Sequence, residues 1–265
     1  MKLSSVCWYI MMAAIFCSFK GNATFHGYDL NEFSFQGHQA KVVSPKKRKK
    51  KNNHWIWRAR FWGHEPQTDL ALLKKGFHLV YIDVGDQFGN QVAVERWNDF
   101  YAFIRKEYNL NEKVVLEGMS RGGLIVYNWA AQNPDKVACI YADAPVCDIK
   151  SWPGGLYNGK GSKGSWEKCL AVFELDEESV LDFEGIPLIS CKKVAEAKIP
   201  MLHVCGAADD VVPYEENTAI LAARVKELGG EIEVILKEGV GHHPHSLADP
   251  KPIVKFILKH TLRKR

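Results

Sequence analysis

The sequence has no His-Glu-x-x-His helix, no Cys-x-x-Cys pair, no cysteine spacing of the zinc-ribbon kind and no internal repeat. These absences remove the simplest metalloprotease signature, the thioredoxin-like redox motif and the solenoid architectures. Long apolar runs are missing too. The longest, Val6 to Phe19, is about fourteen residues against the ~20 that a spanning helix needs. Nor is there a large excess of one charge: 35 basic residues face 31 acidic ones. Six of the basic residues stand together from Lys46 to Lys51, and without them the chain would be net negative. A broad basic face for nucleic acid is therefore excluded, and the run reads as a solvated turn or a lure for a polyanion. What remains is a chain of 265 residues, 46% apolar, enough to fill the core of one α/β domain.

Lys2, the short apolar run and the small residues of Gly21-Asn22-Ala23 follow the order of a secretory signal peptide over residues 1–23. The mature protein, 24–265, is then expected to be secreted or periplasmic, with no membrane span. Lipid attachment at Cys17 is the weaker option, since Ile15-Phe16 is bulky where small residues are usual. Loss of Lys2 and Lys20 leaves 33 basic residues against 31 acidic. The mature chain keeps Cys139, Cys147, Cys169, Cys191 and Cys205. An odd number rules out a pure disulfide scaffold, but export would permit one bridge among Cys147, Cys169 and Cys191.

Along the mature chain, Asp29 to Val43 alternates around Gly37 as an opening hairpin does. Strands are then predicted from Trp55, at Phe77–Val84, Val114–Leu116, Val137–Tyr141, Met201–Cys205 and Ile232–Leu236. Helices are predicted at Asp69–Lys75, Val94–Tyr108, Gly122–Gln132, Tyr214–Leu228 and Pro252–Leu262. Glu117 to Arg121 reads as a turn. Residues 148–197 break the alternation with Gly154, Gly155, Gly159, Gly161 and Gly164, then mixed-charge helical stretches, so they are expected to be a cap-like insertion over the site. Strands alternating with helices imply a mostly parallel central sheet covered on both faces.

Gly118-Met119-Ser120-Arg121-Gly122 follows an apolar strand and opens a helix. A serine hydroxyl needs a base to take its proton and a backbone turn to project it, and a strand–turn–helix elbow with small flanking residues supplies the turn. In such a frame the acid and then the histidine follow on later loops. After the strand at 201–205 stands Gly206-Ala207-Ala208-Asp209-Asp210-Val211-Val212-Pro213; after the strand at 232–236 stands Gly239-Val240-Gly241-His242-His243-Pro244-His245. The first of these loops resembles the Gly-x-x-Asp-x-x-Val-Pro acid loop of α/β-hydrolases, and that resemblance favours Asp209, with Asp210 and Asp143 as rivals. The family's Gly-His pair favours His242 over His243 and His245. The amide of Arg121 is one candidate oxyanion donor, and Phe61 or Trp62 supplies the other. A zinc reading of His242, His243 and His245 lacks a ligand register, so no metal and no cofactor are expected.

The stretches Trp57–His64, Leu116–Gly123, Asp143–Gly155 and Gly239–Leu247 together resemble exported α/β-hydrolases of bacterial polysaccharide-degradation systems, notably pectin methylesterase-type carbohydrate esterases. That resemblance implies hydrolysis of a methyl ester of galacturonate by Ser120, His242 and Asp209. It implies an anionic polysaccharide or oligosaccharide partner met by Arg58, Arg60 and Trp152. An acetyl-esterase or serine peptidase on the same scaffold is the alternative, and a non-catalytic glycan-binding homologue a remote one.

Overall fold

The computed structural model describes residues 23–46 and 53–262. The expected leader up to residue 22 and the basic run beyond Lys46 lie outside the described residues. Strands β1 (Ala23–Phe25), β2 (Tyr28–Phe35) and β3 (His38–Val43) open the chain, followed by β4 (Trp55–Arg58), α1 (Gln67–Lys74), β5 (His78–Ile82) and α2 (Gln91–Tyr108). Next come β6 (Val114–Met119), α3 (Gly122–Gln132), β7 (Val137–Asp143), α4 (Lys163–Phe173) and α5 (Pro187–Glu196). β8 (Met201–Gly206), α6 (Thr218–Glu227), β9 (Ile232–Lys237) and α7 (Lys251–Thr261) complete it. The sheet order is β1-β2-β3-β5-β4-β6-β7-β8-β9. Pairing is antiparallel as far as β3–β5 and parallel from β5–β4 onward. This is the mostly parallel, helix-covered sheet that the alternation implied, in the α/β-hydrolase architecture that the resemblance implied.

The local causes are visible in the residues. The β2–β3 hairpin turns through Gln36 and Gly37, both at positive φ (49° and 82°), the backbone that a two-residue hairpin needs. The central strands His-Leu-Val-Tyr-Ile of β5 and Val-Val-Leu-Glu-Gly-Met of β6 are buried throughout, as strands covered on both faces must be. Helix α2 starts three residues before the predicted Val94, because the Asn90 side chain accepts the Ala93 amide at 3.1 Å and caps it. Trp97 of α2 stacks on Trp57 of β4 with ring centroids 4.0 Å apart, and Trp129 of α3 meets Trp57 edge-on at 5.5 Å. That aromatic cluster fixes two helices against the centre of the sheet.

Two expectations are corrected. All five described cysteines are free and buried, and burial pushes every one of their thiols above the ordinary value. No bridge forms among Cys147, Cys169 and Cys191, which serve as small apolar fillers. Glu117, placed in a turn by the sequence, belongs to β6 and is buried. Of the segment 148–197, α5 packs against α3 and α6. Among the described residues no helix is long and apolar enough to cross a membrane.

His203 on β8 is wholly buried, 2.6 Å from the Tyr127 hydroxyl and 2.8 Å from Thr218 Oγ1. Burial lowers its pKa to about 3. Between the ordinary value near 6.5 and 3, the unfolded chain therefore binds a proton that the folded one refuses, so stability rises with pH across that window. Urea unfolding at stepped pH should show this slope, and His203→Gln should reduce it. An unchanged slope in the variant would mean that other groups cause the acid sensitivity.

Candidate active site

Ser120 follows β6 directly and stands one residue before Arg121, the N-cap of α3. Its φ of +51° is the strained left-handed backbone of a sharp elbow. Glycine is required close by. A Cβ at Gly123 would lie 2.7 Å from Pro145 Cβ, and one at Gly118 would lie 3.0 Å from both the Gly122 carbonyl oxygen and the Val126 side chain. The turn is tied to the neighbouring strand by the Ser120 amide, which donates to the Asp143 carbonyl at 2.8 Å, and by the Val146 amide, which donates to the Ser120 carbonyl at 3.0 Å.

Ser120 Oγ lies 3.1 Å from His242 Nε2, and His242 Nδ1 lies 2.7 Å from Asp209 Oδ2. The other Asp209 oxygen accepts the amides of Val211 and Val212, both at 2.9 Å, so the carboxylate is aimed by its own loop. The Asp209 side chain is 1% exposed and that of His242 9%. Both rival acids are occupied elsewhere. Asp210 is at the surface with Lys160, 2.5 Å away. Asp143 holds His245 Nδ1 at 2.7 Å and accepts from the Tyr141 hydroxyl and the Ser246 amide. The line from Asp209 through His242 to Ser120 has the geometry to draw a proton from the hydroxyl and return it to a leaving group.

Arg58 does not face substrate. It is 1% exposed, and its Nη1 reaches Asp69 at 2.5 Å and Glu117 at 3.1 Å. β4 and β6 run in parallel register with Arg58 opposite Glu117, which places the pair side by side. Burial first, and then Asp69, push the Glu117 carboxyl well above its ordinary value against the pull of Arg58. The remaining donors of Arg58 take the carbonyls of Arg60, Phe61 and His64. In a trans peptide the N–H points opposite to the preceding C=O. Two consecutive carbonyls drawn onto Arg58 therefore turn the amides of Phe61 and Trp62 away from it, a reversal that Phe61 accommodates with a φ of +52°. The substrate-binding expectation for Arg58 is thus corrected: it braces the loop. Arg58→Met should cost about 3–5 kcal/mol, because it strands buried carboxyls without their cation. Urea unfolding measures this, and a variant as stable as the parent would refute the brace.

Arg60 is half-buried and points to Asp83 and Asp86, at 3.8 and 3.7 Å, beside a second cavity that also holds His38 and Arg96. Trp152 is partly buried near Phe88, and the Arg121 guanidinium lies 5.7 Å from its ring and 5.6 Å from that of Phe61. Among the described residues no carboxylate pairs with Arg121, and burial and then Arg60 pull it below its ordinary value. The cavity beside Ser120, about 380 Å³, is lined by Phe61, Trp62, His64, Ser120, His242, His243 and His245. None of its lining comes from 148–197; that segment touches the acid loop through Lys160, which pairs with Asp210. The sequence offered no signal for His64 or for the Asp143–His245 pair, since each depends on loops from different strands.

The model of the prolyl oligopeptidase family matches residues 88–262. That span holds Ser120, Asp209 and His242 and begins after the Phe61 loop. No curated protein matches the chain. Among solved structures, the Pyrococcus horikoshii acylaminoacyl peptidase in its orthorhombic crystal form is similar with a TM-score of 0.69 at 16% identity, over 90% of this chain and 42% of that one. An acylaminoacyl peptidase in complex with Z-Gly-Gly-Phe-chloromethyl ketone gives 0.66 at 17% identity, with the same coverage of 90% and 42%. The chain thus spans about two-fifths of the length of these proteins. The likeness shows the fold, and it lies with serine peptidases and not with the pectin methylesterase-type group that the four sequence stretches resemble.

Proposed function

The chain belongs to the prolyl oligopeptidase family of serine hydrolases, and on that premise we propose that it cleaves short peptides or N-acylated amino acids through an acyl-enzyme on Ser120. The observation that carries the mechanism is the continuous hydrogen-bonded line of Ser120, His242 and Asp209. His242 Nε2 takes the Ser120 proton as Oγ attacks the substrate carbonyl. Asp209 keeps the proton on Nδ1 and steadies the imidazolium. The Arg121 amide at the start of α3 and the outward amides of Phe61 or Trp62 receive the oxyanion. His242 then protonates the leaving amine, and water, activated by the same imidazole, releases the acid.

The peptide-type substrate follows from family membership. A second reading, an ester next to a sugar carboxylate, is favoured by one observation: Arg121, unpaired with any described carboxylate, lies against the flat faces of Trp152 and Phe61. That pairing suits a ring that carries an anion. Peptide p-nitroanilides, p-nitrophenyl acetate and methylated pectin with methanol detection separate the two. Turnover of pectin and of no peptide would sink the peptide reading. Arg121→Ala keeps the backbone amide and removes the guanidinium. It should raise KM for an anionic substrate by about 10–100-fold, the worth of a charged hydrogen bond of ~1.5–3 kcal/mol. Neutral p-nitrophenyl acetate should be unaffected. An equal effect on both substrates would mean that Arg121 only supports the elbow.

A further inference from the structure

We propose that His64, His243 and His245 bind one divalent transition-metal ion of the zinc type in the wall of the Ser120 cavity. Each residue offers a ring nitrogen, and these three atoms all lie within 4.8 Å of one another. Tetrahedral zinc with Zn–N of ~2.0–2.1 Å would bring them to about 3.3 Å apart. The closure needed is small, and His64 and His243 are exposed and free to rotate into place. The three rings are mutually near-perpendicular, at 86°, 84° and 83°, so they present edges around a common point and do not stack. The serine machinery leaves these residues unused, for His242 is committed to Asp209 and Ser120.

An independent observation comes from the buried pair behind the cluster. His245 Nδ1 meets Asp143 Oδ1 at 2.7 Å, with side-chain exposures of 3% and 1%. The other Asp143 oxygen is held by the Tyr141 hydroxyl and the Ser246 amide. A carboxylate on Nδ1 fixes the tautomer, leaves Nε2 as the lone-pair donor and raises its basicity, which is the arrangement found behind metal-binding histidines. Three imidazoles select zinc, cobalt, nickel or copper over magnesium or calcium. All three histidines line the cavity that also holds Ser120, so a remaining coordination position opens to the space that substrate enters. This site rests on the histidine geometry and not on the peptide or ester reading.

The test is metal binding by the whole chain after dialysis against a chelator. Zinc titrated calorimetrically should bind at one equivalent, and cobalt should produce the visible d–d bands of a low-coordinate nitrogen site. A large excess of magnesium should not displace either ion. His64→Ala and His243→Ala, both at exposed positions, should each weaken zinc by about 100-fold or more. Asp143→Asn should weaken it by about 10–100-fold, the usual effect of losing a partner behind a ligand. Ser120→Ala and His242→Ala should retain the affinity. Circular dichroism checks that each variant is folded, and the two exposed-histidine variants keep the test decisive if Asp143→Asn is not. Absence of stoichiometric uptake, or affinity unchanged by both His64→Ala and His243→Ala, would overturn the site. Loss on His242→Ala alone would place the ion on the catalytic line and overturn it equally.

Discussion

Ser120→Ala is expected to lower hydrolysis by on the order of 10⁶-fold while the protein stays folded. The magnitude follows from what the hydroxyl does. Without Oγ no acyl-enzyme forms, and only the oxyanion donors and substrate positioning remain to act on attacking water. His242→Ala should cost nearly as much, because an unassisted hydroxyl is a poor nucleophile at neutral pH. The double variant should be hardly worse than either single one, since the two groups work as a unit at 3.1 Å. A fluorophosphonate probe should label the parent and leave Ser120→Ala unlabelled. Labelling that persists in the alanine variant would move the nucleophile elsewhere. Unfolding of Ser120→Ala is not expected, because the turn is held by the Ser120 amide and carbonyl, which alanine retains.

Asp209→Asn is expected to cost about 10⁴-fold in kcat with little change in stability. The amide keeps one carbonyl oxygen but presents an NH₂ where an acceptor is needed, so His242 is driven into the wrong tautomer. The Val211 and Val212 amides both donate to the other oxygen of the carboxylate, so they hold the carbonyl oxygen of the asparagine and turn its NH₂ toward His242. The contrast with Asp143→Asn is the sharp part of the test. Asp143 pairs with His245 and accepts from the Ser246 amide in the loop after β9 and from the Tyr141 hydroxyl of its own strand β7, and makes no bond to His242. Asp143→Asn should therefore lower stability and leave kcat within about tenfold in the folded fraction, well short of the ~10⁴ tautomer effect. Stopped assays at saturating substrate, corrected for folded fraction by circular dichroism, decide between the two. A larger kcat loss in Asp143→Asn than in Asp209→Asn would reverse the acid assignment.

The hydrogen-bonded line of Ser120, His242 and Asp209 was legible in the residues because each member sits in a local backbone signal. Gly118 and Gly122 around Ser120, Gly206 ahead of Asp209 and Gly241 ahead of His242 mark tight loops at strand ends, and such loops are local in sequence. The alternation of apolar runs and helical spacing likewise carried the sheet and its helices. Where the sequence reading erred, the missing quantity was non-local. Arg58 stands in an arginine-rich strand next to a tryptophan-glycine loop, and that pattern reads as a substrate groove. Its burial depends on Glu117 of a strand 59 residues away and on Asp69 of α1. The five cysteines were open to a bridge on composition alone, and only the structure shows all five free and buried. The segment 148–197 was visible as a break in the pattern, and the packing of its helix α5 between α3 and α6 was not.

By itself, then, the sequence determined the fold class, the elbow at Ser120 and the loops that carry an acid and a histidine, because short-range periodicity and turn chemistry encode them. Only the tertiary structure decided which aspartate reaches His242, which arginine is a brace, and that His64 joins His243 and His245. Those outcomes depend on strand order and register. β4 lies beside β6, and β7 and β8 separate β6 from β9. Carboxyl ends brought together by that order set distances between loops that no local spacing in the chain records.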